Sequence, residues 1–426
     1  MNTQNTTFKV KALVLSLGLS VASFAQAQSN NEVQQLRQEV QELKNLLQQY
    51  SQQQQQQAVE LQAVQVQAQS QPDGEKKGLA VTKGGAEFSI YGNVRADASY
   101  QIKGGNEARL YNQINTIPLG DNREGNDRLK STLAATRLGL DFKTATQMGD
   151  IGGKLEMDFL GANDSLRIRH AYLNYGNWLI GQTWSNFAVP DYMPETIDAL
   201  GYVGGSVKRN PQVRYTNKFD ANTNLVMALE DPKDSSSSMR LPALSARLNH
   251  KFADTGAVSL RAMVNEKKTT EDNETAWGVG LGVKYDLTPK TTLKADYYHV
   301  KGDSSFVAWA NPGFVVNGMN DIVETNQFNS IQVGITQQFN PQWRGTLGYG
   351  YMKADDNQNY INSLTDPTKA NKNLWQAWGN MFYSPTKPVS LGLEYVYGER
   401  EAFKAAANGS NTGEDNRVSA VAIYNF

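Results

Sequence analysis

The chain has no cysteine, only three histidines and, after its first 27 residues, no long apolar run. Without cysteine it can form no disulfide framework and perform no thiol catalysis. The histidines (His170, His250 and His299) show no metal-ligand spacing, and no nucleotide-binding glycine pattern occurs. The missing second apolar run excludes a transmembrane helix farther along the chain. We therefore expect no enzyme, no metal, no cofactor and no nucleic-acid partner.

Residues 1–27 have the pattern of a secretory signal peptide. Lys9 and Lys11 give a positive start, ALVLSLGLSVASF is an apolar core, and Ala25-Gln26-Ala27 is an A-x-A cleavage site. An uncleaved membrane anchor is the alternative, but the apolar core is short for crossing a bilayer. We expect cleavage after Ala27 and export of the mature chain.

Residues 28–69 carry apolar side chains at a seven-residue period. One heptad position holds Val33, Val40, Leu47, Leu61 and Ala68, and the other holds Leu36, Leu43, Tyr50 and Val64. This repeat predicts an α-helical coiled coil. Valine at one heptad position with leucine at the other favours a coil of two helices. A glutamine-rich disordered spacer is the alternative. Residues 70–86, rich in glycine and charge, are predicted to be a flexible linker.

From residue 87 to residue 426, apolar and polar residues alternate with a period of two. Phe88, Ile90 and Val94 fall on one face of the first such segment, and Ser89, Asn93 and Arg95 fall on the other. Long polar links alternate with short turns, and the last strand ends in the aromatic Phe426. This pattern predicts an outer-membrane β-barrel of about 16 antiparallel strands. A β-sandwich would need larger apolar core residues, and a propeller would repeat roughly every 40–50 residues.

A barrel of this size encloses water, so its polar face is predicted to line a pore. Parity assigns to that face the basic residues Arg95, Arg137, Lys143, Lys154, Arg167, Arg169, Arg214, Arg247, Arg261, Lys284, Lys294 and Arg344. It assigns fewer acids: Asp97, Asp141, Glu156, Asp158, Glu230, Asp296 and Glu394. It places His170 and His299 on the opposite face, toward lipid or a neighbouring protomer. A net positive pore concentrates anions and favours their passage. The alternative is a ladder of ion pairs, such as Arg95 with Asp97 or Arg137 with Asp141.

Arg167 and Arg169 are the strongest pore candidates, because they alternate with Leu166 and Ile168 and have no acid in their own strand. The link that follows, residues 183–208, contains Pro190, Pro194 and Gly204-Gly205, which favour a compact loop. We expect this loop to fold inward and narrow the pore. Its acids Asp191, Glu195 and Asp198 are predicted to face Arg167 or Arg169 and create a transverse field.

Four stretches carry a resemblance to a known family. They are the heptads at 31–68, YGNVRADASY at 91–100, LRIRHAYLNYGNWLIGQTWSNF at 166–187 and RNPQVRYTNKF at 209–219. With them the chain resembles the DcaP-type dicarboxylate porins, trimeric porins of Gram-negative bacteria. The resemblance implies a homotrimer in the outer membrane, with the coiled coil in the periplasm and one pore per protomer for small anionic solutes, dicarboxylates in particular. It extends to Arg95, Arg167 and Arg169, whereas Arg137, Arg214 and Arg261 are placed by parity alone.

Other functions remain open at this point. A general non-selective porin would use the same barrel without a solute site. A structural outer-membrane protein would use the coiled coil to reach the cell wall or to set the number of protomers. A specific receptor would bind its solute saturably. All share outer-membrane lipid as a partner.

Overall fold

The computed structural model describes residues 80–426, apart from 84, 106–109, 122–124, 148 and 253–254. The predicted signal peptide, the predicted coiled coil at 28–69 and residues 70–79 of the predicted linker lie outside the described residues. The described strands are β1 (Ala80–Lys83), β2 (Ala86–Lys103), β3 (Arg128–Thr132), β4 (Arg137–Thr146), β5 (Gly149–Asp158), β6 (Arg167–Tyr175), β7 (Trp178–Trp184), β8 (Arg209–Lys218), β9 (Thr223–Glu230), β10 (Ala243–Phe252), β11 (Gly256–Lys268), β12 (Asn273–Thr288), β13 (Thr291–Lys301), β14 (Phe314–Val316), β15 (Ile322–Thr325), β16 (Gln327–Gln338), β17 (Trp343–Ala354), β18 (Asn371–Thr386), β19 (Val389–Ala402) and β20 (Thr412–Asn425).

These strands form a closed antiparallel barrel with 16 positions, which confirms the predicted fold and strand number. From β4 to β13 and from β16 to β20 each strand pairs with the next along the chain, and β13 pairs with β16. β2 pairs with both β4 and β20 and closes the ring. At the point of closure, Gly92 exchanges backbone hydrogen bonds of 3.1 and 3.0 Å with Phe426. β3 pairs with the far half of β2 and thus shares the position of β4, while β14 and β15 form a separate hairpin.

The first barrel strand has a short partner that the sequence did not reveal. β1 lies inside the segment predicted to be a linker, and its residues pair with β2 from Ala86 to Ser89. β20 pairs with β2 only from Asn93 onward, so this part of the edge would otherwise be unpaired. The edge of β2 offers free backbone donors and acceptors at Ala86–Ser89, and β1 pairs with them. The described strands therefore include residues before 87.

The two faces of the wall differ as the alternation predicts. Leu166 and Ile168 are more than half exposed on the outside, whereas Arg169 is buried. Aromatic contacts form two bands on the outer face. The band near the short turns contains Trp178 with Tyr215, Phe252 with Tyr285 and Trp343 with Tyr383. The band near the long loops contains Trp277 with His299, Tyr349 with Trp375 and Trp375 with Tyr397. Such bands are typical of barrels that contact both interfaces of a membrane.

One end of the barrel carries short turns and the other carries longer loops, and we call these the turn side and the loop side. The loops include α1 (Gln358–Ser363), whose amide N–H groups donate to the side chain of Asn357, and short 3-10 turns at Ile114–Thr116, Ala162–Asp164 and Pro190–Tyr192. No helix within the described part of the chain has the length and apolarity needed to cross a membrane.

The loop between β7 and β8, residues 185–208, packs against inner positions of the barrel wall, and we call it the inward loop. It packs against apolar inner positions of the wall, so that Phe187 and Val203 join Tyr298, Phe328 and Leu374 in a fully buried cluster. The hydrophobic core thus lies inside the barrel, between this loop and one side of the wall. The lumen that remains is bounded by the other side, where β2 and β4–β8 face the inward loop.

Candidate functional site

The inward loop is tied to the wall by ion pairs that differ from those predicted. Each of its acids pairs with an arginine: Asp191 with Arg247 at 3.2 Å, Glu195 with Arg344 at 2.8 Å and Asp198 with Arg417 at 3.0 Å. The prediction that they face Arg167 or Arg169 is therefore wrong. The loop crosses the lumen and rests against β10, β17 and β20, so its acids meet cations on the far side of the barrel. Burial raises the pKa of Asp198 to about 6, and Arg417 opposes that rise.

Two glycines allow this close packing. A Cβ atom on Gly350 of β17 would lie 1.7 Å from the carbonyl oxygen of Val203. A Cβ atom on Gly204 would lie 1.9 Å from the carbonyl oxygen of Ile331, and Gly204 has a positive φ of 94°. Backbone therefore approaches backbone at both points, as only glycine permits.

Arg167 and Arg169 project into the lumen and are neutralised by acids on the neighbouring strand. Arg167 donates two hydrogen bonds to Asp158, of 2.9 and 2.7 Å. Arg169 donates to Glu156 at 2.6 Å and to Asp158 at 3.0 Å. Arg169 is 5% exposed, while the Arg167 side chain is 31% exposed to the lumen. Both acids lie on β5, so a search for partners within β6 could not reveal them.

A β-bulge at Arg169 changes the parity of β6. Glu156 lies opposite His170, but Met157 lies opposite Ile168, so one residue of β6 has no counterpart. Both Arg169 and His170 therefore turn inward. The prediction that His170 faces outward is wrong, because strict alternation stops at the bulge. His170 Nδ1 lies 3.0 Å from the hydroxyl of Thr183, and its Nε2 lies 4.0 Å from Glu156.

Two further arginines complete the group, and neither guanidinium forms a hydrogen bond or an ion pair within the described residues. Arg137 lies opposite Asp158 in the β4–β5 ladder, yet the oxygens of Asp158 bind Arg167 and Arg169. Arg209 stacks 4.5 Å from the centre of the Trp184 ring and interacts electrostatically with Arg137, Arg167 and Arg169. We call Arg137, Arg167, Arg169 and Arg209 the arginine cluster.

Arg209 was missed by the sequence analysis, although it begins the motif RNPQVRYTNKF. Alternation from the inward Arg214 assigns position 209 to the outer face. The structure instead places Arg209 beside Arg169, where β7 and β8 reach the inward loop. Arg209 is the first residue of β8, directly after the inward loop. The signal that could have found it is Trp184, its partner in the β7–β8 register.

The three remaining predicted arginines have different surroundings. Arg95 pairs with Asp97 at 2.6 Å and donates a hydrogen bond to the carbonyl of Ile197 in the inward loop. Arg214 donates to Gln212 at 2.9 Å and to the carbonyl of Trp184.

Arg261 is 2% exposed, pairs with Asp296, and donates to the Phe187 carbonyl at 3.0 Å. The prediction that Arg261 lines the pore is therefore wrong, because the inward loop covers it.

On the turn side of the arginine cluster the lumen remains open. A cavity of about 530 Å³ is lined by Glu87, Asp141, Lys143, Asp150, Lys154 and Tyr172, among others. Its charges are mostly paired, with Lys154 2.9 Å from Asp141 and Lys143 2.7 Å from Asp150. The arginine cluster, together with Arg214, which has only neutral hydrogen-bond partners, therefore supplies the excess positive charge on this side of the lumen. Within the described part of the chain, no group of acids and histidines has the arrangement of a metal site.

Comparisons with known proteins agree with this architecture. A family model described as DcaP outer membrane protein matches residues 19–426. The chain is similar to the outer membrane channel DcaP of Acinetobacter baumannii, with 39% identity, a TM-score of 0.73, and coverage of 81% of this chain and 99% of that one. No curated protein matches.

More distant structures share the fold alone. One is OmpT of Vibrio cholerae, with 15% identity, a TM-score of 0.54, and coverage of 82% of this chain and 100% of that one. Another is an anion-selective porin from Comamonas acidovorans, with 12% identity, a TM-score of 0.54, and coverage of 80% of this chain and 100% of that one.

Proposed function

The chain belongs to the DcaP outer membrane protein family, and from this we propose that it is an outer-membrane diffusion channel selective for small anions, dicarboxylates in particular. The observation that carries the proposal is the arginine cluster. Four guanidinium groups meet there beside two carboxylates, those of Glu156 and Asp158, and two of the four have no acidic partner in the described chain.

The excess charge acts where the inward loop has narrowed the lumen. In a water-filled passage with low-dielectric walls, the field of fixed charges is focused and raises the local concentration of anions. Arginine also suits carboxylates, because its planar fork binds both oxygens at once. Arg137 and Arg209 are free to do so, while Arg167 and Arg169 are held in place by their acids. A dicarboxylate would thus meet two receptive groups on a rigid wall.

The same proposal includes a homotrimer in the outer membrane and a periplasmic coiled coil. Large aliphatic side chains at the loop end of β3–β6 support a contact between protomers: Leu129 is 73%, Leu133 63% and Leu166 56% exposed. The opposite side of the barrel has aromatic residues at this level. Large exposed aliphatic side chains of this kind suit burial against another protein.

The purified wild-type channel in a planar bilayer is expected to prefer anions. Under a potassium chloride gradient, the reversal potential should lie toward the chloride equilibrium potential, because fixed positive charge at the narrow point excludes cations. Succinate or phthalate should reduce the chloride current by occupying the same groups. A reversal potential at zero or on the potassium side would contradict the proposed selectivity and leave a general pore.

Removal of residues 28–69 is expected to weaken the trimer while leaving each barrel's conductance and ion preference unchanged. The heptads would add contact between protomers outside the membrane, whereas the arginine cluster lies within one chain. Chemical cross-linking and single-channel recording of the same sample measure the two effects separately. Trimers that are as stable as the wild type would assign the segment another role, such as contact with the cell wall.

A further inference from the structure

Two lysines face each other on the inner wall, on the turn side of the inward loop. Lys284 of β12 and Lys294 of β13 are direct partners in the antiparallel register. Lys284 continues the inward row of Gly278, Gly280 and Gly282, and Lys294 continues that of Asp296. Directly opposed residues have Cβ atoms about 4.5–5.5 Å apart, and like charges at that separation destabilise the sheet.

Neither lysine has a compensating partner in the described chain. Their Nζ groups form no ion pair and no hydrogen bond there. Three other inward lysines are paired: Lys143 with Asp150, Lys154 with Asp141 and Lys267 with Asp234 and Asp303. Asp191 and Glu195 interact electrostatically with Lys294, but both already bind arginines. The pair therefore adds an uncompensated charge of two to a defined place in the lumen.

That place lies directly below the inward loop. Tyr192 of the loop covers Gly282, the inward position before Lys284, since a Cβ atom there would lie 2.2 Å from the ring. Pro194 covers Gly334, which is the register partner of Lys294 on β16. The two lysines thus lie next to the wall positions that the inward loop covers, on their turn side.

We propose that Lys284 and Lys294 form a second anion-binding site, which holds a small dicarboxylate on the turn side of the inward loop. This rests on the proposed function, because it places the site on the route of the same solutes. Each ammonium group offers three donors and can hold one carboxylate, and a bound dianion removes the repulsion between the two lysines. A lysine ammonium group acts as a point charge and binds a carboxylate less tightly than the planar guanidinium of arginine does. The lysine site therefore favours release of the bound dicarboxylate.

The test compares K284Q/K294Q with the control K290Q/K387Q, which removes the same charge from exposed turns at the same end of the barrel. Succinate is added to one side of the bilayer at a time, and block of the chloride current is recorded. In K284Q/K294Q the affinity for succinate from the turn side should fall about tenfold, since two charge-assisted contacts are lost. Block from the loop side and in the control should match the wild type. Unchanged turn-side block in K284Q/K294Q would overturn the site.

A second measurement separates this site from the proposed selectivity. Succinate should raise the midpoint of thermal unfolding of the detergent-solubilised wild type, and should do so less in K284Q/K294Q. Without succinate, K284Q/K294Q should unfold at a higher temperature than the wild type, because the repulsion is gone. If the wild type shows no anion preference but both shifts occur, the proposed selectivity fails and the lysine site stands. An equal succinate effect in K284Q/K294Q and wild type overturns the lysine site.

Discussion

Replacing Arg137 and Arg209 with glutamine is expected to weaken the anion preference of the channel strongly. The ratio of chloride to potassium permeability should fall about tenfold, because these two residues supply the uncompensated charge of the arginine cluster. The fold should persist, since neither guanidinium forms an ion pair or hydrogen bond in the described chain and glutamine keeps much of the packing length. The reversal potential in a salt gradient measures the change.

Two matched variants make this result interpretable. R167Q/R169Q also removes two positive charges but leaves Glu156 and Asp158 buried without their partners, so it should lower heat stability as well as selectivity. E156Q/D158N removes the acids and should strengthen the anion preference in the fraction that folds. If R137Q/R209Q keeps the wild-type reversal potential while R167Q/R169Q loses it, the working groups are the paired arginines and our assignment is wrong.

Substitution of Gly350 by alanine is expected to displace the inward loop and enlarge the pore. The new methyl group would meet the carbonyl of Val203, which is backbone and cannot rotate away. Overpacking of this kind costs about 1–3 kcal/mol of unfolding free energy, and moving the loop is the way to relieve it. Single-channel conductance should rise, anion preference should weaken, and the midpoint of thermal unfolding should fall.

The control for this experiment is G318A. A Cβ atom on Gly318 meets nothing within 4 Å, so the same chemical change there should alter neither conductance nor stability. If G350A and G318A both conduct like the wild type, the inward loop does not limit the current. The narrowest point would then lie elsewhere in the lumen.

The barrel could be predicted from sequence because its main determinant is local. Alternation with a period of two follows from strand geometry, and the contrast between short turns and long loops fixes how strands connect. Proline and glycine within residues 183–208 likewise favour a compact loop.

The site was less predictable because its contacts join distant parts of the chain. Glu195 meets Arg344 across 149 residues, and no pattern within the loop specifies that partner. At Arg169 one extra residue reverses the parity of a strand, so His170 was assigned to the wrong face. Arg261 was assigned correctly to the inner face, but parity does not reveal that a loop covers it. Alternation assigns a side chain to the inner or the outer face of the wall. It does not show whether an inner side chain contacts water or another part of the protein.

The pairing of Phe426 with Gly92 makes the molecule a ring whose two joined ends are the first and last strands of the barrel. The backbone N–H and C=O groups on one edge of β2 stay unpaired until β20, the last strand to be synthesised, has reached them. A bare strand side is a template for wrong partners, and a contact between such distant residues is slow to form. A chaperone that binds the unfolded chain must therefore protect the free edge of β2 longest. β1 already pairs with β2 from Ala86 to Ser89 and covers that part of its edge.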